Sequence, residues 1–314
     1  MARKYRHFVY DENQRYIYPT SDWGFKYLLG TERNKGLLLG ILQELLPELE
    51  IETLEYLPQE LGLPVGRMKN ARFDVYCRQK DGGRIVVEMQ NYAYEAFLDR
   101  AVVYTSCAVI ENFTNSASKN YKIGRTIFVA FVGDPLFKDT DRTPVRLSLC
   151  DIDEPATTLR CDNVLQIFVE LPKFAGGIRD ITDNTPFVEQ LAHVLMEMAD
   201  CDEIPVNITH PLLRRIFEAA DIKHMEDNTK ENYRSAIMSE ADYEYLMDGA
   251  RKEGLSAGFE EGRAEGREEG RAQGREEGRA EGVQDTARKM KAAAIGVAVI
   301  SECTGLSPEE VQSL

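Results

Sequence analysis

The sequence has little cysteine or histidine, and what it has is not arranged for a structural metal site. Six cysteines and four histidines occur among 314 residues, and no two cysteines have the CxxC spacing. Structural zinc sites pair thiolates and imidazoles at short, regular spacings, so the sequence disfavours this class. Cys77 and Cys107 lie among apolar residues and are predicted to be buried thiols, which fits a reducing cytoplasm.

Long apolar runs and a surplus of positive charge are also lacking. No apolar stretch reaches the roughly 20 residues of a membrane-spanning helix, and the start, MARKYRHFVYDENQRY, lacks the apolar core of a signal peptide. We therefore expect no membrane partner and a cytoplasmic location. With 53 acidic and 38 basic side chains, the formal net charge is −15, which argues against indiscriminate nucleic-acid binding.

Basic side chains are nevertheless concentrated in one short stretch. They are Arg67, Lys69, Arg72, Arg78, Lys80 and Arg84. The cluster is either a patch that contacts phosphates or the solvated surface of a hairpin, and the sequence leaves both interpretations open.

The same region contains the most informative pattern in the chain, ARFDVYCRQKDGGRIVVEMQNY at residues 71–92. It predicts two strands joined by a tight turn at DGG, where glycine adopts positive φ at low cost. Residues 72–78 alternate in the way a half-buried strand does. Phe73, Val75 and Cys77 are predicted on one side of the strand, with Asp74 and Tyr76 on the other.

Two carboxylates in this hairpin need an explanation. Glu88 interrupts the apolar run of residues 85–89, and Asp74 lies one strand away. A carboxylate in a buried strand costs free energy unless it is paired, and two facing carboxylates repel each other. A divalent cation removes the repulsion, and Mg²⁺ or Mn²⁺ suits an all-oxygen site. The alternative is a surface hairpin whose acidic residues face water.

The residue order Asp74-x13-Glu88-x-Gln90 across a hairpin resembles the core of PD-(D/E)XK nucleases, with Gln90 in place of the usual lysine. More closely, the chain resembles the bacterial Rpn family of recombination-promoting nucleases and transposases over most of residues 20–175. The motifs that carry this resemblance are SDWGFKYLLG, FDVYCR, VVEMQNY, a helix with Arg100 and Tyr104, and VLQIFVELPKF. The resemblance implies a Mg²⁺-dependent DNA endonuclease linked to recombination or transposition.

The acidic and amide residues of the pattern suggest distinct roles. Asp74 and Glu88 are expected to bind one or two divalent cations, which polarise the scissile phosphate and lower the pKa of a bound water. Gln90 cannot act as a general base near neutral pH, but its amide can orient water by hydrogen bonding. The resemblance adds Asp22 at the start of a helix near the active site, although a helix cap alone would account for this residue.

Three basic residues are candidates for substrate contact. Lys26 lies one helical turn after Asp22 and could meet a phosphate. Arg100 shares a helical face with Tyr104 and could pair with the site carboxylates or with DNA. Arg72 belongs to the basic cluster that borders the proposed site.

The order of the predicted elements is helix, three strands, helix and strand, which indicates an α/β fold with a mixed sheet flanked by helices. This order matches the PD-(D/E)XK nuclease-like fold that the resemblance implies, followed by a helical C-terminal extension. We predict five segments along the chain. They are a loosely held arm at 1–19, a nuclease-like domain at 20–178, a helical extension at 179–252, a charged helical stalk at 253–284 and a helix-turn-helix-like element at 285–314.

Glycine recurs at every fourth residue from position 254 to position 282. Arginine follows the glycine in most repeats, and an acid or glutamine precedes it. Glycine costs a helix about 1 kcal/mol relative to alanine, so this glycine ladder should be weakly helical at best in isolation. Close packing against a second copy of the chain could compensate, because a glycine row lets two backbones approach. The ladder is therefore either a conditionally helical oligomerisation stalk or a flexible linker, and its period favours the stalk.

The final segment predicts two short helices around a turn at TGLS, with Ser307 and Glu310 as a capping box. Its second helix, PEEVQSL, has no arginine or lysine to read DNA, which favours protein docking. Two alternatives to an endonuclease stay open. One is a catalytically inert nuclease-fold protein that acts as an oligomeric assembly or DNA-binding factor, and the other is a purely structural oligomer.

Overall fold

The chain forms two compact units, Met1–Tyr243 and Glu244–Leu314. The computed structural model describes residues 8–61, 71–92, 96–114, 123–151, 153 and 160–314. Arg67 and Lys69 of the predicted basic cluster lie outside these described residues.

The first unit is built on a mixed sheet. Its strands are β1 Leu54–Tyr56, β2 Glu60–Leu61, β3 Ala71–Arg72, β4 Val75–Gln79, β5 Arg84–Gln90, β6 Thr126–Val132, β7 Val145–Cys150 and β8 Arg160–Glu170. Six of them pair in the order β1-β4-β5-β6-β8-β7, and β2 pairs with β3 in a small separate sheet.

The three central strands, β5, β6 and β8, run parallel, and the other three strands of the large sheet pair antiparallel. Every residue of β6 is buried, as in a central strand covered on both faces. Because neighbouring parallel strands end at the same edge, the carboxyl ends of β5, β6 and β8 meet. There, Gln90 stands opposite Val132, and Val132 stands opposite Glu170.

Helices flank the sheet on both faces, which confirms the predicted α/β fold. In the described residues they are α1 Asp22–Leu29, α2 Lys35–Leu45, α3 Phe97–Thr114, α4 Phe187–Glu197, α5 Pro211–Ala220, α6 Asp227–Ala292, α7 Val297–Thr304 and α8 Pro308–Ser313. Helices α1, α2, α4 and α5 pack on the face that contains Ile85 and Val87. Helix α3 packs on the opposite face, where its Ala101 joins Val86 and Phe128.

The prediction of a loosely held N-terminal arm is wrong for the part of it that the structure describes. Tyr16 and Ile17 are buried. Tyr16 forms an antiparallel bridge with Asp221, and Ile17 N donates to Ala220 O at 3.1 Å. The arm is held by the end of α5, which is remote in sequence, so no local pattern could reveal it.

The predicted strand across the motif FDVYCR is interrupted. The backbone leaves the strand at Phe73 and bends at Asp74, between β3 and β4. Phe73 therefore packs against Tyr76, with ring centroids 4.9 Å apart, and not with Val75 and Cys77, which belong to the other face. Strict alternation holds only along a continuous strand, so the predicted side of Phe73 was wrong.

The second unit contains most of the glycine ladder's helix. Residues 252–282 of α6 are all exposed. Apart from the adjacent residues and the helix's own nearby backbone, no described heavy atom lies within 4 Å of a Cβ added at any of the eight ladder glycines. The ladder is thus helical within the single chain although nothing described packs against its glycine row.

After α6, the chain forms a small cluster of its own. Ala287 of α6 packs with Ile300 of α7 and Val311 of α8. Ser307 and Glu310 cap each other's backbone N–H groups at the start of α8, which confirms the predicted capping box. None of the helices in the described ranges combines the length and the hydropathy that a membrane span requires.

Candidate active site at the end of the sheet

Asp74 and Glu88 lie where the pairing of β4 with β5 stops. The last paired residues are Val75 and Val87, so the register places Asp74 opposite Glu88. Beyond that point, side chains replace the backbone ladder. Asp74 N donates to Glu88 Oε1 at 3.0 Å, and Met89 N donates to Asp74 Oδ2 at 3.0 Å. Each carboxylate is therefore held by a backbone N–H of the opposite chain segment.

The second oxygen of each carboxylate faces a cation. Lys26 Nζ lies 3.3 Å from Asp74 Oδ1, and Arg100 Nη2 lies 3.3 Å from Glu88 Oε2. Lys26 comes from α1 and Arg100 from α3, which pack on opposite faces of the sheet. The bend at Asp74 thus brings together groups that a flat, regular sheet would keep apart.

Burial dominates the electrostatics of the two carboxylates. Glu88 is only 2% exposed. Burial, followed by the negative charge of Asp74, raises the pKa of Glu88 to about 8, although a backbone hydrogen bond, Arg100 and Lys26 act in the opposite direction. Burial likewise raises the pKa of Asp74 above its ordinary value. A site that makes two carboxylates difficult to ionise together favours an additional positive charge between them.

The residues present fit a divalent cation. Asp74 Oδ1 and Glu88 Oε2, the oxygens that do not accept from the backbone, are hard carboxylate donors of the kind that Mg²⁺ and Mn²⁺ prefer. The described part of the chain contains no group of three or more acidic, histidine or cysteine side chains arranged to hold a metal. Two carboxylates are compatible with Mg²⁺, which usually keeps several waters and also binds substrate phosphate.

Gln90 ends β5 beside the carboxylates, and its amide is engaged. Its Nε2 donates to Tyr92 O at 2.7 Å, and its Oε1 lies 3.5 Å from Arg100 Nη1. Arg100 also lies over the ring of Tyr104, with Cζ 4.7 Å from the ring centroid. The amide and the ring together orient the guanidinium that contacts Glu88.

Asp22 lies at the outer edge of this arrangement. It is not the helix cap, because Ser21 precedes α1 and its Oγ accepts from Gly24 N at 3.0 Å. The Asp22 side chain is 66% exposed and pairs with Lys26 at 2.5 Å. Burial alone would lower the pKa of Lys26, but the hydrogen bond to Asp22 and the charge of Asp74 raise it. Asp22 is therefore connected to the site carboxylates through its ion pair with Lys26, which also lies beside Asp74.

The described members of the predicted basic cluster do not act as one cationic patch. Three of them pair with acidic residues. The pairs are Arg78–Glu55 at 2.5 Å, Lys80–Glu52 at 2.9 Å and Arg84–Glu111 at 2.6 Å. Arg84 is buried, since its partner on α3 compensates the charge. Arg72 is exposed on β3, two residues before Asp74.

Two positioning residues escaped the sequence analysis. Gln59 Nε2 donates to Asp74 O at 2.7 Å, and Asn91 Nδ2 donates to Thr20 O at 2.7 Å. The first bond fixes the bend at Asp74, and the second ties the end of β5 to the start of the α1 region. Asn91 follows Gln90 directly and could have been suspected, whereas Gln59 lies in a segment without any pattern.

Comparison with known proteins identifies a family for this chain. Residues 19–250 match the family described as PD-(D/E)XK nuclease family transposase. No curated protein and no solved structure matches the chain.

Proposed function

We propose that this chain, which belongs to the PD-(D/E)XK nuclease family of transposases, is a Mg²⁺-dependent DNA endonuclease that acts in recombination or transposition. The observation that supports this most directly is the pair of the buried Glu88, near the carboxyl end of β5, and the partly buried Asp74 opposite it, each flanked by a cation. The family resemblance seen in the sequence and the family match both cover the region that contains this pair.

In the proposed site, Asp74 and Glu88 would hold a divalent cation, which would supply positive charge at the scissile phosphate and lower the pKa of a nearby water. The backbone N–H groups of Asp74 and Met89 keep both carboxylates oriented for this purpose. Mn²⁺ fits the same oxygen donors.

Lys26 and Arg100 are the proposed phosphate contacts. Their side chains are 25% and 35% exposed, so each reaches solvent while one end touches a site carboxylate. When DNA enters, these cations can move from the carboxylates to phosphate oxygens, which are their usual partners in DNA complexes. The amide of Gln90 can then either stay in contact with Arg100 or orient a water molecule by hydrogen bonding. Asp22 positions Lys26, and Arg72 is the exposed cation that borders the site.

The test is the cleavage of supercoiled plasmid by the purified chain with Mg²⁺, Mn²⁺ or EDTA. Glu88→Ala and Asp74→Ala should lose at least roughly a thousandfold in rate, because they remove the cation's ligands. Gln90→Ala should lose only roughly tenfold, because an amide positions but does not bind the cation. Glu55→Ala, an exposed acid on the neighbouring β1, is the matched control and should cleave normally. Equal activity in Glu88→Ala and the parent would remove the assignment.

The exposed ladder supports a second proposal, self-association of the chain through residues 254–282. Arginine follows each of the five glycines from Gly262 to Gly278, and an acid or glutamine precedes each of them, so the two charge rows flank the glycine row at about 100° on either side. In a parallel pair related by a two-fold axis, the arginine row of one helix lies beside the acidic row of the other. In an antiparallel pair, like rows would meet. The charge order therefore favours parallel pairing.

The length of such a contact is limited. The glycine row advances about 40° for every four residues, so two helices meet at a crossing and not along the whole ladder. Exposed apolar side chains lie at its start, with Leu255 77% and Phe259 72% exposed, and they offer additional contact area.

Deletion of residues 254–282 should lower the number of chains per particle, as calculated from the mass measured by sedimentation, and should leave the first unit folded. The association of the parent should weaken with salt, because the paired rows are exposed charges. If the deletion variant keeps the parent's oligomeric state, the ladder is a linker. If the protein associates but does not cleave DNA in any metal, the inert assembly or DNA-binding factor becomes the better description.

A further inference from the structure

The loop that follows β6, residues 133–144, is attached to the end of the sheet that carries the candidate site. Gly133 N donates to Gln90 O at 2.8 Å. A Cβ added at Gly133 would lie 2.7 Å from Asn91 O, so the loop starts in direct backbone contact with the end of β5. In α/β sheets, ligands bind outside the carboxyl ends of parallel strands. The loop therefore borders the space that a substrate must enter.

One buried carboxylate holds both arms of this loop. Glu170, the last residue of β8, is fully buried. Its Oε1 accepts from Leu136 N at 2.6 Å and from Phe137 N at 2.9 Å. Its own backbone N donates to Thr143 Oγ1 at 2.9 Å. The first half and the last part of the loop are thus joined to the same residue.

Lys173 completes the attachment from the short turn after β8. Its Nζ lies 2.7 Å from Glu170 Oε2 and donates to Phe137 O and Thr140 O, both at 2.6 Å. A buried charge costs free energy unless it is paired and hydrogen-bonded. Apart from the ion pair itself, the hydrogen bonds of the Glu170 and Lys173 side chains all go to this one loop. Apolar residues of similar volume could replace the pair without loss of stability, but they would not hold the backbone groups of the loop.

We propose that Glu170 and Lys173 are positioning residues that hold residues 134–143 as a fixed wall against which DNA binds at the candidate site. The proposal rests on the proposed nuclease function and assigns it two residues that touch neither the cation nor the scissile phosphate. The wall carries the exposed Lys138 and Arg142, which can contact phosphates along the backbone of a duplex, next to the exposed Asp139 and Asp141, which cannot.

The first experiment measures the loop itself, in the full-length chain. Glu170→Gln keeps an acceptor for the loop but loses the charge, and Lys173→Met keeps the stem but loses the ammonium. Glu48→Gln is the matched control, because Glu48 pairs with Arg146 at the exposed surface at 2.6 Å. Limited trypsin digestion followed by mass spectrometry reports cleavage after Lys138 and Arg142, with cleavage in the arginine-rich ladder as the internal reference.

Both loop variants should be cut after Lys138 and Arg142 roughly tenfold faster than the parent, and the control should not change, because proteolysis follows the population of the open loop. Unchanged cleavage in both variants would overturn the proposal. Fluorescence of Trp23, the chain's single tryptophan, verifies that each variant is folded. If Glu170→Gln does not fold, Thr143→Val, which removes a single acceptor from the loop, takes its place with the same expected direction.

The second experiment measures DNA. Binding of a fluorescent 20-base-pair duplex in EDTA should weaken roughly fivefold to tenfold in the loop variants, and in cleavage assays KM should rise while kcat stays within about twofold. A looser loop with unchanged duplex affinity would overturn the role as a DNA wall. A parent that binds duplex but never cleaves it would contradict the proposed nuclease function, while the trypsin and EDTA measurements still decide the role of the loop.

Discussion

The first unit and the glycine ladder keep their helices in different ways. Helix α1 buries Phe25, Leu28 and Leu29 against the rest of its unit. The ladder part of α6 buries no described side chain, so its backbone hydrogen bonds maintain it without tertiary packing. Tertiary packing normally provides most of a helix's stability. The same kind of substitution should therefore have different consequences in the two regions, and the following predictions test that difference.

The largest difference is expected for phenylalanine. Phe131 is 1% exposed in the centre of the sheet, and Phe259 is 72% exposed at the start of the ladder. Phe131→Ala should lower the free energy of unfolding of the first unit by about 3–5 kcal/mol, because it leaves a cavity. Phe259→Ala should leave it unchanged within about 0.5 kcal/mol. Urea denaturation followed by Trp23 fluorescence measures this unit, and an equal loss in both variants would contradict the comparison.

The next effect concerns pH and is confined to the first unit. The pKa of Glu88 rises from an ordinary 4.5 to about 8, so folded protein keeps a proton that the unfolded chain releases between these values. The stabilisation that this bound proton contributes is fully present below pH 4.5 and is lost as the pH rises through about 8. The urea midpoint in EDTA should therefore fall between pH 5 and pH 8, and less so in Glu88→Gln.

The same assay also addresses the cation. At pH 8, Mg²⁺ should raise the urea midpoint of the parent, because a ligand that binds only the folded state stabilises it. It should not raise that of Glu88→Gln. A midpoint with the same pH dependence in parent and variant would show that Glu88 is not the responsible group.

A smaller effect, with opposite signs in the two regions, is expected for glycine. A Cβ at Gly24 would lie 2.0 Å from Tyr18 O, whereas one at Gly266 meets no described heavy atom within 4 Å. Gly24→Ala should destabilise the first unit by about 1–3 kcal/mol through overpacking. Gly266→Ala should stabilise the ladder helix by about 1 kcal/mol.

Far-UV circular dichroism during heating measures the ladder helix of the full-length chain, and Trp23 fluorescence measures the first unit. If Gly266→Ala also lowers the mass seen by sedimentation, the glycine row is a contact with a second copy. Lower helicity in Gly266→Ala would contradict the description of an unpacked helix.

The smallest effect is expected for exposed ion pairs, where the two regions should behave alike. Lys289 and Asp285 lie 2.7 Å apart after the ladder, and Arg78 and Glu55 lie 2.5 Å apart on the sheet. Exposed pairs contribute little because water and salt screen them. Asp285→Asn and Glu55→Gln should both leave the denaturation curves unchanged within error. A clear loss in Glu55→Gln alone would show that this surface pair is part of a larger network.

The sequence predicted those parts of the fold that depend on local patterns. The apolar run of β6, the paired strands around DGG and the capping box of Ser307 and Glu310 are all visible in a few adjacent residues. The family could be recognised for the same reason, because its motifs are short and contiguous. Burial along a run of sequence follows from periodicity, which requires no knowledge of partners.

The candidate site could be predicted only in part. Asp74, Glu88 and Gln90 were expected as a group, but their roles stay proposals. The bend at Asp74, the bond from Gln59 and the approach of Lys26 and Arg100 from opposite faces depend on elements that lie far apart in the sequence. The sequence left open whether the basic cluster is a phosphate patch or a solvated hairpin for the same reason, because Arg84 acquires its partner Glu111 only when α3 packs on the sheet.

The sequence by itself determined that this protein has a mixed sheet flanked by helices, a carboxylate pair across one hairpin and a charged glycine ladder. Local periodicity and turn chemistry specify these features, because neighbouring residues in the chain remain neighbours in the fold. Only the tertiary structure decided which charges are neutralised, which segment holds the N-terminal arm and which loop stands beside Gln90. Those contacts join residues far apart in the chain, and their free energy depends on burial that no short segment possesses alone.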